Sequence, residues 1–230
     1  MHIGILQTGH TADGIRETRG DFDAMFARLL DGHGFTFSAY DVEHMVFPAS
    51  VREADGWLIT GSRHGAYEEH AFIPPLEAFI RDVVAADVPI VGICFGHQII
   101  AQALGGKVEK FPAGWSIGRT EYATTGGETL TLNAWHQDQV IVPPEGTTTL
   151  ASNDFCTHAI LSYGRRAFTV QPHPEFDNEL MADYVTFRRG TGTYPDALMD
   201  AAAAATGLPI DDHKLAGVIA GYFKTREANV

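Results

Sequence analysis

Val91-Gly92-Ile93-Cys94-Phe95-Gly96-His97-Gln98-Ile99-Ile100 sets a cysteine between two glycines where an apolar, strand-like run ends. The residues that follow are spaced as a helix through Gln98, Ile100 and Leu104 and stop near Gly105 and Gly106. A sharp strand-to-helix turn needs small neighbours, and a nucleophile placed on one is the G-x-S-x-G elbow, here with sulfur in place of oxygen. The N-terminus of the following helix then points at Cys94 and favours thiolate over thiol. From these residues alone a small buried cysteine in a tight turn fits as well, so the rest of the chain has to decide.

Working outward, short β-rich runs alternate with helical periodicity. Ile3 to Leu6 is followed by Phe22, Phe26, Leu29 and Leu30, then by Phe35 to Tyr40. Trp57 to Thr60 is followed by Leu76, Phe79, Ile80, Val83 and Val84 on one helical face, then by Ile90 to Ile93. This βαβ repetition predicts an α/β fold with a parallel sheet and crossover helices, and puts Cys94 at the C-terminal end of a strand, where open α/β sheets bind ligands. From Glu121 to Val170 the pieces ETLTLN, DQVIV, TTTLAS and AFTV are separated by turn residues. They predict strands that extend the same sheet or add a small antiparallel one. Beyond Glu175 two amphipathic helices are expected, one carrying Leu180, Met181, Tyr184 and Phe187, the other Leu215, Val218, Ile219, Tyr222 and Phe223. RGTGTYP and an alanine run at 201–205 join them, the alanines read simply as good helix formers. The whole, 1–230, reads as one domain with a helical C-terminal extension, 176–230.

The 16 basic and 29 acidic residues leave a formal charge of −13, which repels phosphate backbones and anionic lipid, so no nucleic acid or membrane partner is expected. With no leader-like start and no segment near the roughly 20 apolar residues of a membrane span, a cytoplasmic protein is expected. Two cysteines cannot build a disulfide framework; Cys156 lies in a β-like run and reads as core.

A thiolate nucleophile needs a base. His173 stands out in Gln171-Pro172-His173-Pro174-Glu175, because each proline biases the residue before it toward an extended backbone. In an extended chain His173 and Glu175 share a face with Cα atoms about 6.5 Å apart, so the carboxylate can orient the imidazole. Alone, that segment would pass for a proline-stiffened surface ion pair; with the elbow it supplies a base and its orienter. His64, His70, His136 and His158 show no metal-ligand spacing, and no metal is expected.

The elbow Gly92-Ile93-Cys94-Phe95-Gly96-His97-Gln98 and the later His173-Pro174-Glu175, about 80 residues apart, resemble the class I glutamine amidotransferases. Thr60-Gly61-Ser62 and His136-x-Asp138-x-Val140 match two further segments of that family, so the resemblance spans residues 55–176. It implies a flavodoxin-like, three-layer, open and mostly parallel sheet flanked by helices. By the same resemblance Cys94 is the nucleophile, His173 the general base and then acid, and Glu175 the orienter. The N–H groups of Gly61 and Phe95 form the oxyanion hole, and Gln98 holds the glutamyl end of a small-molecule substrate. No metal or organic cofactor is implied. In Ala134-Trp135-His136-Gln137-Asp138 the family's GMP synthetase glutaminases usually have Ser-His-Gly-Asp. Trp135, His136 and Gln137 are therefore candidate substrate contacts, the larger ones reshaping the approach of glutamine.

The expected chemistry is cysteine-dependent hydrolysis of a γ-glutamyl amide through a γ-glutamyl thioester, releasing ammonia or an amine. No P-loop or second domain is present to consume the ammonia. Trp135, Gln137 and the 55 residues after Glu175, which could pack a homodimer or cover a docking face, favour a stand-alone hydrolase. The alternative is a glutaminase subunit that passes ammonia to a separate ATP-dependent synthase such as GMP synthetase. A redox sensor using Cys94 and Cys156, or a non-catalytic regulatory module, weighs less because all three triad residues are present.

Overall fold

The computed structural model describes residues 1–228 and 230. Its first half runs β1 (His2–Gln7), α1 (Asp13–Arg19), α2 (Phe22–Leu29), β2 (Thr36–Asp41), β3 (Gly56–Ile59), α3 (Ile73–Ala85), β4 (Ile90–Ile93) and α4 (Phe95–Ala103). Then come β5 (Lys107–Lys110), β6 (Ser116–Thr124), β7 (Thr129–His136), β8 (Asp138–Val142), β9 (Thr148–Ser152), β10 (Ile160–Ser162) and β11 (Ala167–Val170). Three helices close the chain: α5 (Asn178–Arg188), α6 (Asp196–Ala205) and α7 (Asp212–Thr225).

The residues of β3, β4 and β11 are buried throughout, because helices cover both faces of these central strands. Nine strands form one open sheet in the order β2-β1-β3-β4-β11-β10-β9-β6-β7. The pairs from β2 to β11 are parallel and those from β11 to β7 antiparallel. Phe26 and Leu30 near α2 pack with Leu215 and Ile219 of α7 on one face. Leu76 and Ile80 of α3 pack with Phe95, Ile99 and Ile100 of α4 on the other. This is the α/β class expected, in three layers.

Both outcomes foreseen for the Glu121–Val170 stretch occur together. Strands β6, β7, β9 and β10 prolong the main sheet, while β8 pairs with β5 in a separate antiparallel ribbon. Strand β5 is not legible in the sequence because KVEK buries only Val108. Helix α1 escapes for the same reason, since Ile15 is its one buried residue.

The C-terminal segment holds three helices rather than two, and the alanine run is itself the end of α6. Small size matters there beyond helix propensity: Ala202 is buried against Gly118 of β6, where a Cβ would stand 2.7 Å from the Ala202 Cβ. Leu180, Met181 and Tyr184 of α5 and Met199 of α6 bury themselves with Phe22, Ile117 and Phe176 of the same chain. Among the described residues, no helix is long and apolar enough to cross a membrane.

Insertion of β11 beside β4 positions the site. Val170 lies opposite Ile93, and the N–H of Cys94 donates to the Val170 carbonyl at 2.8 Å. The segment leaving β11 therefore emerges next to the turn leaving β4.

Candidate active site

Cys94 occupies that turn with φ 53° and ψ −104°, a left-handed conformation that costs a side-chain-bearing residue of order 1–3 kcal/mol. Its flanking glycines are demanded by close backbone approach. A Cβ on Gly92 would lie 2.3 Å from the Gly96 carbonyl oxygen, and one on Gly96 would lie 2.3 Å from that of Ile59. Phe95 is the first residue of α4, so its N–H has no carbonyl partner within the helix.

Gly61 follows β3. The carbonyl of Thr60 accepts from the Gly96 N–H at 3.1 Å and from the Thr8 hydroxyl at 3.0 Å. Because the peptide is planar and trans, pinning that oxygen directs the Gly61 N–H the opposite way. A Cβ built on Gly61 would lie 3.1 Å from His173 Cε1 and 3.8 Å from Cys94 Cβ, which sets this residue beside both side chains. The Gly61 carbonyl lies 3.2 Å from the same Thr8 hydroxyl and shares its one proton.

His173 forms a bridge with Asn133 of β7, its N–H donating to the Asn133 carbonyl at 2.8 Å. The extended geometry expected through Glu175 does not occur. The Phe176 N–H reaches back to the His173 carbonyl at 3.2 Å, so residues 173–176 make a turn with Pro174 at the corner that proline's fixed φ suits. The turn brings Glu175 Oε1 to 2.7 Å from His173 Nδ1, with both residues buried. Burial opposes charge on His173, but Glu175 and the adjacent Cys94 outweigh it, and the imidazole pKa rises to about 10. The second oxygen, Glu175 Oε2, is buried without a partner among the described residues, so His173 is the group this carboxylate serves.

Cys94, His173, Gln98, Trp135, His136 and Gln137 all line one pocket of about 240 Å³; Glu175 stands behind His173, outside it. The Gln98 amide donates to the Asp138 carbonyl at 2.9 Å and to Gln171 Oε1 at 3.1 Å, which commits its N–H groups and leaves its oxygen for a ligand. His136 is buried, and burial together with the neighbouring His173 lowers its pKa to about 3, so it is a neutral group at physiological pH. Gln137 donates to the Phe111 carbonyl at 3.2 Å.

Trp115, Tyr184, Arg188 and Tyr194 line the same pocket, although the sequence does not single them out as site residues. Its periodicity puts Tyr184 on an amphipathic face and its composition puts Tyr194 in a linker; the spacing of Tyr184 and Arg188, one helical turn apart, is the signal that joins them. His64, Glu68 and His70, unremarkable in spacing, are gathered within 4.8 Å of one another by the turn at Gly65–Glu68. Cys156 is buried as expected, but in the loop after β9 rather than in a strand, and burial pushes its thiol up to about 12.

The family model for class I glutamine amidotransferase matches residues 37–190, and the chain belongs to that family. A glutamine amidotransferase-like protein of Schizosaccharomyces pombe is 34% identical over 94% of this chain and 95% of its own. Gamma-glutamyl peptidase 3 of Arabidopsis thaliana is 28% identical over 74% of this chain and 75% of its own. One subunit of the glutamine-hydrolysing GMP synthase of Halobacterium salinarum is 32% identical over 69% of this chain and 86% of its own. In fold the chain is similar to a glutamine amidotransferase of Methylobacillus flagellatus, with a TM-score of 0.76, 19% identity and coverage of 99% and 96% of the two chains.

Proposed function

We propose that the chain hydrolyses γ-glutamyl amides through a γ-glutamyl thioester on Cys94. The observation that carries this reading is the buried His173–Glu175 pair at 2.7 Å, set beside a cysteine on a strained strand-to-helix elbow. In the proposed cycle His173 holds the proton of a Cys94–His173 ion pair, and the thiolate attacks the γ-carbonyl. The N–H groups of Gly61 and Phe95 receive the oxyanion. His173 then protonates the departing nitrogen, and in the second half it takes a proton from the water that cleaves the thioester. Glu175 fixes the imidazole tautomer and stabilises its charge throughout.

A protein that hands ammonia to a separate synthase is the second reading, favoured by the 32% identity to one subunit of a GMP synthase. Against it, the C-terminal segment folds over the chain's own pocket, to which Tyr184, Arg188 and Tyr194 contribute. Glutamate release by the purified chain from glutamine and γ-glutamyl peptides separates the two. Turnover that stays weak on every substrate until an ATP-dependent synthase is added would reject the stand-alone reading.

The pinned Thr60–Gly61 peptide leads to a further expectation. Thr8 is fully buried, and Thr8→Val keeps its shape while removing the hydroxyl that holds the Thr60 and Gly61 carbonyls. Losing an oxyanion donor outright costs about 10²–10³ in rate, so misaiming one should lower kcat about 10-fold with KM little changed. A rise in KM at constant kcat would mean that Thr8 serves binding instead.

A further inference from the structure

We infer, resting on the γ-glutamyl hydrolase reading, that the pocket's aromatic wall receives the leaving amine. The amine it fits carries an aromatic side chain and a carboxylate, as in a γ-glutamyl aromatic dipeptide.

The position of the leaving group follows from the chemistry. The C–N bond breaks as His173 gives its proton to the departing nitrogen, so that nitrogen must lie within hydrogen-bond reach of the imidazole. Water later supplies the hydroxyl that leaves as part of glutamate, so the net change is amide plus water to acid plus amine. Whatever the nitrogen carries therefore extends from His173 along its neighbours.

Those neighbours are an unbroken series of rings. His173 stacks on Phe176 at 4.2 Å between centroids, and Phe176 stacks on Tyr184 at 4.8 Å. Tyr184 meets Trp135 at 5.5 Å, Trp135 meets Tyr194 at 5.1 Å, and Tyr194 meets Trp115 at 4.8 Å. Every one of them lines the pocket, and Trp115, Trp135 and Tyr194 are only half-buried, so part of each ring is left uncovered. Departing ammonia has no use for such a wall; an aromatic ring stacks on it edge-on or offset.

The rest of the pocket lining includes groups of another character. Ser62, Arg63, Gln98, Lys110, Gln137 and Asp138 present charges of both signs and amide groups, which suit the α-ammonium and α-carboxylate of a glutamyl group. Arg188 also lines the pocket. Arg188 lies one helical turn beyond Tyr184, and its Nε is buried with no hydrogen-bond partner among the described residues. A guanidinium so placed is completed by a carboxylate. Tyr194 falls outside the 37–190 stretch that matches the family model, so this wall is in part built by sequence beyond the shared domain.

The test compares kcat/KM for glutamate release from γ-glutamylphenylalanine, γ-glutamylalanine, γ-glutamyl phenethylamide and glutamine. Each is measured with the unmodified chain, Tyr194→Ala, Arg188→Gln and a Cys94→Ala blank. The expected order puts γ-glutamylphenylalanine at least about 10-fold above γ-glutamylalanine and above glutamine, a margin that stacking contacts readily supply. Tyr194→Ala should shrink that margin several-fold, and Arg188→Gln should erase the difference between the phenylalanine and phenethylamide conjugates. Cys94-dependent release with no aromatic preference overturns this inference and leaves the hydrolase reading standing. An aromatic preference that ignores the carboxylate overturns the part given to Arg188, and no Cys94-dependent release from any substrate overturns both readings.

Discussion

Cys94→Ala is expected to lower glutamate release from γ-glutamyl substrates by about 10⁴ or more, since members of a nucleophile–base–orienter set fail together rather than in proportion. The chain should stay folded, because alanine keeps the backbone and removes only one buried atom beyond Cβ. Cys94→Gly should be just as inactive and yet the more stable of the two variants. At φ 53° and ψ −104° alanine retains the strain of the elbow, whereas glycine has no Cβ to strain. The glycine variant loses part of that advantage to the greater freedom of its unfolded chain, which leaves a difference of about 1 kcal/mol. Thermal unfolding of the two proteins and a glutamate-release assay check both halves. Residual turnover in either variant would remove Cys94 from the chemistry, and equal stabilities would mean that the elbow stores no strain at that residue.

The elbow is legible because two independent local signals agree there: an apolar run that reads as a buried strand, and a pair of glycines with a polar atom between them. The structure adds why both glycines are needed, since a Cβ on either would stand 2.3 Å from a backbone oxygen. The partnership of His173 with Glu175 is legible from composition and spacing, but for a different geometry. An extended segment would set the two side chains on one face; the chain instead turns at Pro174, and the hydrogen bond from Phe176 to His173 closes the turn. What no local pattern could reveal is the insertion of β11 between β4 and β10, because parallel pairing joins segments far apart in sequence without a shared turn. That pairing alone carries His173 to Cys94.

The aromatic wall is hidden for a related reason. Tyr184 shares a helix with the buried Leu180 and Met181, and a helical face does not say which of its apolar residues meets core and which meets a cavity. The alanine run conceals α6 in the same way: a tightly packed surface against Gly118 and a merely helix-forming one have the same composition. Of the C-terminal segment, Tyr184 and Arg188 of α5 and Tyr194 just before α6 line the pocket.

Glu175→Gln preserves shape and removes charge, and its consequences separate the orienter's electrostatic role from packing. An amide can present its NH₂ to Nδ1 and select the wrong imidazole tautomer, so kcat should fall by about 10³–10⁴, as expected when an orienting carboxylate becomes its amide. The same substitution should change how stability depends on pH. Burial lowers the His173 pKa, and Glu175 leads the influences that outweigh it and raise the value from an ordinary 6.5 to about 10. A folded-state pKa above the unfolded one means that protonated His173 stabilises the fold fully below about pH 6.5, and that this stability is lost as pH rises through about 10. A buried hydrogen bond to a charged group is worth about 1.5–3 kcal/mol, and each kcal/mol moves the Tm of a chain this size by roughly 2–4 °C. The Tm of the unmodified chain should therefore exceed that of Glu175→Gln by at least about 3 °C at pH 6, with the gap narrowing toward pH 10. Parallel pH profiles for the two proteins, with activity lost all the same, would assign Glu175 to holding the position of the ring and deny it control of the proton. A variant that kept both its activity and its pH profile would reject the His173–Glu175 pair as the catalytic base altogether.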